Sequence, residues 1–393
     1  MRHVPDTERR SRLVRRQGLG AEHRLANPLA AAAAVVCLHA TEPATVYLSV
    51  AARTDGIDVA DIDHALYAER SLVKQLAMRR TLFAFPRDLL PAAWGSASAR
   101  DAAAEHRRIA KNVVAGGLTR DAEAWLDAAR ADVLDLLGDH GELGAQQIRE
   151  ALPALDAKVS TSSSARWGGP IPIAPRVLGW LGARADIVRA VNGGHWRTSR
   201  PQWTPMPRWL DAPPVAAGEA DGYSELVRRW LTRFGPGTEA DLVWWLGATK
   251  GVVRRALADL EAVEVSLDGG ENGWVLPEDE EAEPDVAPAA ALLPVLDPTV
   301  MGWKGRDWYL GDLGRELFDR NGNAGTTAWW DGRVVGCWVQ DPAGAVGVHL
   351  LTDVPAVGRR SLEAEAARLS GWLGGVSVGT VYPSPAMKAA PRP

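Results

Sequence analysis

Three stretches of the chain show the same pattern of apolar residues. Each begins with the spacing of three and four residues that is typical of helices and ends with strand-like alternation around a turn. The clearest copy lies in residues 219–277, where Asp268-Gly269-Gly270 marks a hairpin turn between two apolar runs. Thr238 and Gly247 are typical start and stop residues for a short middle helix. The helices predicted for this copy are Tyr223–Phe234, Glu239–Leu246 and Thr249–Glu261. Helix, short helix, helix and hairpin is the outline of a winged helix.

Residues 9–90 and 98–205 repeat this outline less clearly. Strand-like alternation from Leu72 to Phe85 closes the earlier copy, and Asn192-Gly193-Gly194 predicts the hairpin of the later one. A serine-rich break over Ser160–Ser164 interrupts the later copy. The predicted helices are 12–18, 28–38, 44–53 and 59–69 in the earlier copy, and 99–114, 120–137 and 145–152 in the later one.

An acidic run from Glu278 to Asp285 follows this helical part and is predicted to be a solvated linker. The sequence pattern is different after it. Beyond it, short β-like runs are split by Gly, Asn and Asp, with Asp331-Gly332 as a further hairpin turn. These runs are 292–296, 308–310, 326–330, 334–339 and 346–351, and one helix is predicted over 362–373. We therefore expect a small β-rich C-terminal domain with a frayed tail after Pro383.

Composition narrows the class of protein. Apolar residues make up 46% and charged residues 24% of the 393, which excludes a largely disordered chain. Two cysteines, Cys37 and Cys337, exclude a disulfide framework or a multi-cysteine zinc site. No apolar run is long enough for a membrane-spanning helix, and the arginine-rich N-terminus lacks a signal-peptide cleavage site, so we expect a cytoplasmic protein. The net charge of −5 excludes a uniformly basic nucleic-acid binder but is compatible with a basic groove.

The segment from Cys37 to Pro43 carries the most unusual arrangement of polar groups. No phosphate loop, dinucleotide fingerprint, zinc-protease or serine-hydrolase motif is present, and the eight histidines lack metal-ligand spacing. His39 and Thr41 stand two residues apart, at the end of one predicted helix and just before another. A histidine exchanges a proton near neutral pH, and a threonine hydroxyl holds a water. The alternative is that Thr41 caps the next helix and His39 is a satisfied interhelical side chain.

Two basic surfaces are candidates for contact with nucleic acid. Lys250 and Arg254 share the outer face of the last helix of the clearest copy, as phosphate contacts require, although an ordinary solvated face has the same pattern. Residues 189–208 of the later hairpin carry Arg189, Arg197, Arg200 and Arg208, interleaved with Trp196, Trp203 and Trp209. Basic residues interleaved with aromatics on a hairpin suit backbone contact and stacking. The alternative is a hairpin packed on its own domain by those tryptophans.

Four parts of the chain stand in an order that identifies a family. They are residues 37–53, residues 77–82, residues 234–247, and the runs 293–297, 321–323 and 332–338 taken together. In that order they resemble the catalytic-motif segment, the Met-Arg-Gly-Thr strand, the third helix-turn-helix and the C-terminal β domain of the AlkZ/YcaQ family of winged-helix DNA glycosylases. The resemblance runs from about residue 10 to residue 380.

The resemblance implies an α+β fold, mainly α, of three tandem winged helices followed by a small β-barrel-like C-terminal domain. The boundaries expected here are 1–92, 93–212, 213–280 and 281–393. It also implies a monofunctional glycosylase that excises N7-alkylated purines from duplex DNA, with bulky adducts or interstrand crosslinks among its substrates. No metal or organic cofactor, membrane or obligate protein partner is implied, and we expect a nucleoid-associated monomer.

The chain departs from the family at the catalytic motif. Well-known members carry Gln-x-Gln or Gln-x-Asp, whereas this sequence has His39 and Thr41. Since an N7-alkylated base is already a good leaving group, positioning a water is the main task, and His39 and Thr41 are candidates for it. A second departure is Arg80, where the family usually has Gly. Further substrate or DNA contacts implied by the resemblance are Tyr47, Arg53, Asp297 and Arg306.

Two functions remain open on the sequence alone. One is the DNA glycosylase, with water as the nucleophile. The other is a DNA-binding protein without catalysis, such as a damage sensor or regulator. We expect His39 to face the groove in the enzyme and to be buried among Ala31, Val35 and Leu48 in the binding protein. The sequence names neither the lesion nor a role in self-resistance.

Overall fold

Helices and strands are mixed throughout the computed structural model, which describes residues 1–160 and 169–391. The chain divides into two compact units, one of Met1–Val73, Ala84–Arg87 and Tyr223–Pro393, the other of Lys74–Phe83 and Asp88–Gly222. The mixture of helix and strand is confirmed, whereas most of the predicted break over Ser160–Ser164 lies outside the described residues.

The N-terminal part places a short strand between two helices. Its elements are β1 (His3–Val4), α1 (Asp6–Arg16), α2 (Pro28–Ala33), β2 (Leu38–His39), α3 (Pro43–Ala51), α4 (Val59–Asp63), β3 (Leu72–Ala77) and β4 (Thr81–Pro86). The strands β2, β4 and β3 form a sheet in that order. The helix predicted over residues 28–38 is wrong in its second half, because the chain turns at Val36, which has a φ of +67°, and enters β2. His39 is therefore on a strand.

The middle part packs its helices around one apolar core. Its elements are α5 (Leu90–Ala93), α6 (Ala99–Ala115), α7 (Ala122–His140), β5 (Leu143–Gly144), α8 (Ala145–Ala151), α9 (Pro153–Asp156), β6 (Lys158–Val159), β7 (Ile171–Pro172), α10 (Ala174–Ala183), β8 (Ile187–Asn192), β9 (Pro201–Pro205) and α11 (Met206–Trp209). Ile109, Val133, Trp180 and Leu181 are buried at its centre. The predicted hairpin is present, but its loop runs from residue 193 to residue 200 and is longer than a two-residue turn.

The third helical part follows the predicted pattern most closely. Its elements are α12 (Glu219–Phe234), α13 (Glu239–Leu246), α14 (Lys250–Asp259), β10 (Val263–Leu267) and β11 (Asn272–Val275). The hydroxyl of Thr238 accepts from the backbone N–H of Asp241 and caps α13, and Gly247 ends it with a φ of +60°. The strand β1 adds to β10 in parallel, a pairing that the local pattern did not reveal.

The C-terminal part contains an antiparallel sheet in the order β12, β13, β14, β15. Its elements are β12 (Ala290–Leu293), α15 (Asp307–Leu310), α16 (Gly314–Leu317), β13 (Thr327–Trp330), β14 (Arg333–Gln340), β15 (Val346–Leu350), α17 (Ala356–Leu373) and α18 (Pro385–Ala389). Among the described residues this sheet is open, so the expectation of a barrel-like domain is corrected. The strand predicted at Trp308–Leu310 is a helical turn, because Arg306 O accepts from the N–H groups of Tyr309 and Leu310.

The acidic run is solvated at four of its six acids, but Asp279 and Glu283 are bound to α1. Arg12 and Arg16 of α1 donate to the Asp279 carboxylate at 2.7–2.8 Å, and Arg15 and Arg16 donate to Glu283. We call this set of ion pairs the N-terminal clasp. Both partners are partly shielded from water, so each charge lowers the cost of burying the other. Three of the arginines of α1, Arg12, Arg15 and Arg16, are thereby paired with carboxylates within the protein.

Candidate active site

His39 and Thr41 lie at a corner between β2 and α3. The backbone N–H of Thr41 donates to Nδ1 of His39 over 3.4 Å. His39 is half-buried and Thr41 is exposed. A neutral imidazole whose Nδ1 accepts a hydrogen bond carries its proton on Nε2, so this arrangement favours the form in which Nε2 is a donor.

The start of α3 explains why the corner is open. Pro43 occupies the first turn of the helix, and the residue before it, Glu42, is the N-cap without a capping hydrogen bond from its side chain. Thr41 therefore does not cap α3, which removes that alternative for its hydroxyl. The Glu42 carboxylate instead accepts from the hydroxyl of Thr380 and the N–H of Val381.

A cavity of about 410 Å³ borders the motif segment at Glu42. Burial raises the pKa of the Glu42 carboxyl, and its hydrogen bonds from Val381 and Thr380 offset that rise only in part. Residues from α3, the open sheet and the C-terminal tail line the cavity, among them Thr45, Leu48, Trp338, Gln340 and Lys388. The sequence analysis gave Glu42 no functional role. An acid directly after Thr41 is the signal that could have identified it.

Arg53 and Asp297 are inaccessible to a ligand, since neither has any exposed surface. Arg53 donates to both carboxylate oxygens of Asp297, at 2.9 and 2.7 Å, and to the hydroxyl of Thr299. Ser49 of α3 donates to the same carboxylate. Burial alone would raise the pKa of Asp297, but the charge and hydrogen bonds of Arg53 and Ser49 hold it below its usual range. The expectation of DNA contact is corrected: the pair joins the end of α3 to the segment after β12.

The expectation that Tyr47 contacts substrate or DNA directly is also corrected. Only 2% of its surface is exposed, and its hydroxyl donates to the Asp63 carboxylate. Burial, the adjacent Tyr67 and the Asp63 charge all raise the pKa of Tyr47. Tyr47 therefore links α3 to α4 through its hydrogen bond with Asp63.

Arg306 is placed better for contact with a ligand. Its guanidinium lies between two aromatic rings, 4.9 Å from the centroid of Trp244 and 4.7 Å from that of Phe318. All three residues are half-buried. Its Nε is buried and has no hydrogen-bond partner. Stacking fixes the plane of the guanidinium, which also makes a side-chain hydrogen bond with Tyr309.

Lys250 and Arg254 keep their side chains 70% and 66% exposed while sharing the carboxylate of Glu239. Exposed ion pairs are weak, so a phosphate could replace Glu239 at little cost. Arg197 and Arg200 are exposed in the loop between β8 and β9. The structure thus leaves these four residues accessible and buries Tyr47, Arg53 and Asp297.

Within residues 1–160 and 169–391, no three His, Cys, Asp or Glu side chains are grouped closely enough to hold a metal ion. In the same part of the chain, no helix has both the length and the apolar character needed to cross a bilayer.

Comparisons with known proteins point to one family. Residues 32–372 match the sequence profile of the family described as DNA glycosylase AlkZ-like. Among solved structures, a DNA glycosylase AlkZ from Streptomyces sahachiroi superposes with a TM-score of 0.72 at 20% sequence identity. The match covers 94% of this chain and 97% of that one, and at this identity it shows a common fold. No curated protein matches the chain.

Proposed function

The chain belongs to the family of AlkZ-like DNA glycosylases, and we propose from this premise that it hydrolyses the N-glycosidic bond of N7-alkylated purines in duplex DNA. Bulky adducts and interstrand crosslinks fall within the same chemistry. The observation that carries the proposal is the corner at His39 and Thr41, where a half-buried imidazole and an exposed hydroxyl lie side by side. Water is the nucleophile, since the segment contains no lysine for a Schiff base.

The substrate makes modest demands on the protein. Alkylation at N7 gives the base a positive charge, so the glycosidic bond breaks through an oxocarbenium-like transition state without a strong base. The protein must hold a water against the sugar and stabilise developing charge. An Nε2–H group on His39 orients such a water by donating to its oxygen, as the amide of glutamine does. The Thr41 hydroxyl holds the same water or the sugar.

The neutral form of His39 suits this role. A protonated imidazole would repel the cationic base and the positive charge that develops on the sugar. The hydrogen bond from the Thr41 N–H to Nδ1 supports the neutral form, because a protonated ring has no acceptor nitrogen. His39 therefore acts by positioning and by its dipole.

The remaining finer assignments also belong to this proposal. We assign the three repeats of helices and hairpin to tandem winged helices that bind duplex DNA. Lys250, Arg254, Arg197, Arg200 and Arg306 supply contacts to phosphates, since all five are at least partly exposed. Arg53, Asp297 and Tyr47 are positioning residues that hold α3, and with it the motif, in place.

The test is base release from a duplex that contains a single N7-methylguanine. We expect release by the wild type, none by His39→Ala, and unchanged release by His140→Ala, a control at an exposed position at the end of α7. Affinity for the duplex should stay the same in all three proteins. Equal release by His39→Ala would remove His39 from the mechanism.

Salt dependence separates DNA binding from catalysis. Affinity for duplex DNA is expected to fall steeply between low and physiological salt, because phosphate contacts release counterions. Salt-sensitive binding without release from either methylated or crosslinked duplexes would favour a DNA-binding protein that does not cut. Absence of binding at low salt would contradict the proposal.

A further inference from the structure

Arg189 on β8 is a half-buried cation without a hydrogen-bond or ion-pair partner among the described residues. Its Nε is shielded from water and makes no hydrogen bond, and no hydrogen bond or ion pair joins its guanidinium to any described residue. Burial lowers its pKa, and no nearby acid opposes that effect. Shielding a charge from water without a partner is unfavourable, so this arrangement calls for an explanation.

The two arginines with the least exposure, Arg53 and Arg12, both have carboxylate partners. Arg53 is paired with Asp297, and Arg12 is paired with Glu8 and Asp279. Removing these charges from water is compensated inside the protein. Arg189 lacks that compensation, which is the arrangement expected of a residue whose partner is a ligand.

The geometry around Arg189 fixes its orientation. Arg189 lies directly opposite Trp203 on β9, and its guanidinium carbon is 5.2 Å from the centroid of that ring. Trp203 is itself buried. The stacked face and the shielded Nε leave the two terminal nitrogens, which are not fully buried, as the donors that reach solvent. A planar pair of donors on a rigid support matches the oxygens of a phosphate group.

The charge of the hairpin supports the same ligand. Residues 187–205 contain three arginines and one histidine but no Asp or Glu. The acid just before the hairpin, Asp186, is engaged by Arg130 and Arg184 at 2.6–2.9 Å. The positive field of the hairpin is therefore not neutralised from within its own strands.

We propose that Arg189, stacked on Trp203, is a preformed binding site for one phosphate group of the DNA backbone. The site rests on the proposed function for the choice of DNA as the source of the phosphate. It differs in kind from Arg197 and Arg200, which are exposed. Because Arg189 is already desolvated and oriented, little side-chain freedom is lost when the phosphate binds.

The test compares Arg189→Met with Arg149→Met on an undamaged duplex across a potassium chloride series. Arg149 is the matched control, since the same charge is removed from a side chain that lies 3.6 Å from the Asp156 carboxylate. We expect Arg189→Met to lower affinity severalfold at low salt and to reduce the slope of log K against log salt by about one. The control should keep the wild-type slope. A wild-type slope in Arg189→Met would overturn the proposal.

Thermal unfolding separates a binding role from a structural one. Because methionine removes an uncompensated charge and keeps an apolar stem on Trp203, Arg189→Met should unfold at the wild-type temperature or a few degrees above it. A clear loss of stability would assign Arg189 to the fold and overturn the proposal. Because the measurements use undamaged DNA, they test the phosphate site separately from excision. Failure of the protein to excise a lesion would not change their outcome.

Inorganic phosphate distinguishes the two sources of the anion. If phosphate raises the unfolding temperature of the wild type above that in chloride of equal ionic strength, but not that of Arg189→Met, the site takes a phosphate group. Together with the reduced DNA slope, this result supports a backbone contact. The same stabilisation with an unchanged DNA slope would assign the site to free phosphate and overturn its assignment to DNA.

Discussion

The guanidinium of Arg53 and the carboxylate of Asp297 meet at 2.7 Å with no exposed surface on either side chain, although 244 positions separate them in the sequence. The pair connects the end of α3, the helix that follows His39 and Thr41, to the segment after β12. Its role is therefore to hold the corner that carries the motif.

Removing one member of this pair should lower the free energy of unfolding substantially. Arg53→Met leaves the Asp297 carboxylate buried and unpaired, for which we expect a loss of about 3–5 kcal/mol in the free energy of unfolding. Arg228→Met, which breaks a more exposed pair with Glu225, should cost less than about 1 kcal/mol. Urea unfolding measures both, and equal losses would contradict the assignment.

The N-terminal clasp should make stability sensitive to acid. Burial would raise the pKa of Glu283, but hydrogen bonds and charges from Arg16 and Arg15 hold it below its usual range. Its stabilisation is thus complete above the unfolded pKa of about 4.3 and is lost as the pH falls through the lower, folded value. Glu283→Gln should cost about 1–3 kcal/mol at pH 7 and flatten this acid limb.

Glu281→Gln is the matched control for the clasp. Its side chain is exposed, and only its backbone oxygen accepts from Arg12. The substitution should change the free energy of unfolding by less than about 0.5 kcal/mol. Comparable losses in the two variants would mean that the clasp does not depend on the specific pairs.

Activity should depend on pH through His39. If the neutral ring positions water, base release should decline as acid protonates the imidazole. His39→Gln keeps a hydrogen-bond donor without a titrating group, so it should retain release and lose this decline. Single-turnover rates from pH 5 to 8 compare the two. A parallel decline in both proteins would place the titrating group elsewhere.

Two glycines should respond to alanine in opposite directions. A Cβ on Gly237 would lie 2.1 Å from the ring of Trp230, which itself packs against Phe234, so Gly237→Ala should cost at least about 1–3 kcal/mol. Gly251 is exposed near the start of α14 with open space around it, and Gly251→Ala should gain up to about 1 kcal/mol. Thermal unfolding measures the change in stability of both variants. Stabilisation by the first change would contradict the packing.

Local signals were sufficient where an element is fixed by its own residues. Thr238, Gly247 and the turn at Asp268-Gly269-Gly270 placed α13 and the following hairpin correctly, because caps and tight turns depend on neighbouring positions. Asp331 and Gly332 both have positive φ, as their turn requires. The motif segment was found in the same way, from residues that stand close together.

Long-range partners were beyond the sequence. The ion pairs of Arg53 with Asp297 and of Arg12 with Asp279 were not predicted, because each pair spans more than 240 positions. The pairing of β1 with β10 was missed for the same reason. Arg189 belongs to the basic and aromatic pattern that the sequence analysis found in the later hairpin, but its stacking on Trp203 appears only once the hairpin has folded.

The N-terminal clasp also sets an order of events during translation. The strand β1 and the helix α1 leave the ribosome well before their partners in β10 and the acidic run, which are more than 260 positions downstream. Arg12, Arg15 and Arg16 therefore remain without their carboxylate partners in the acidic run until that run has been synthesised. The larger unit cannot close before that point, so β1 and α1 reach their final surroundings late.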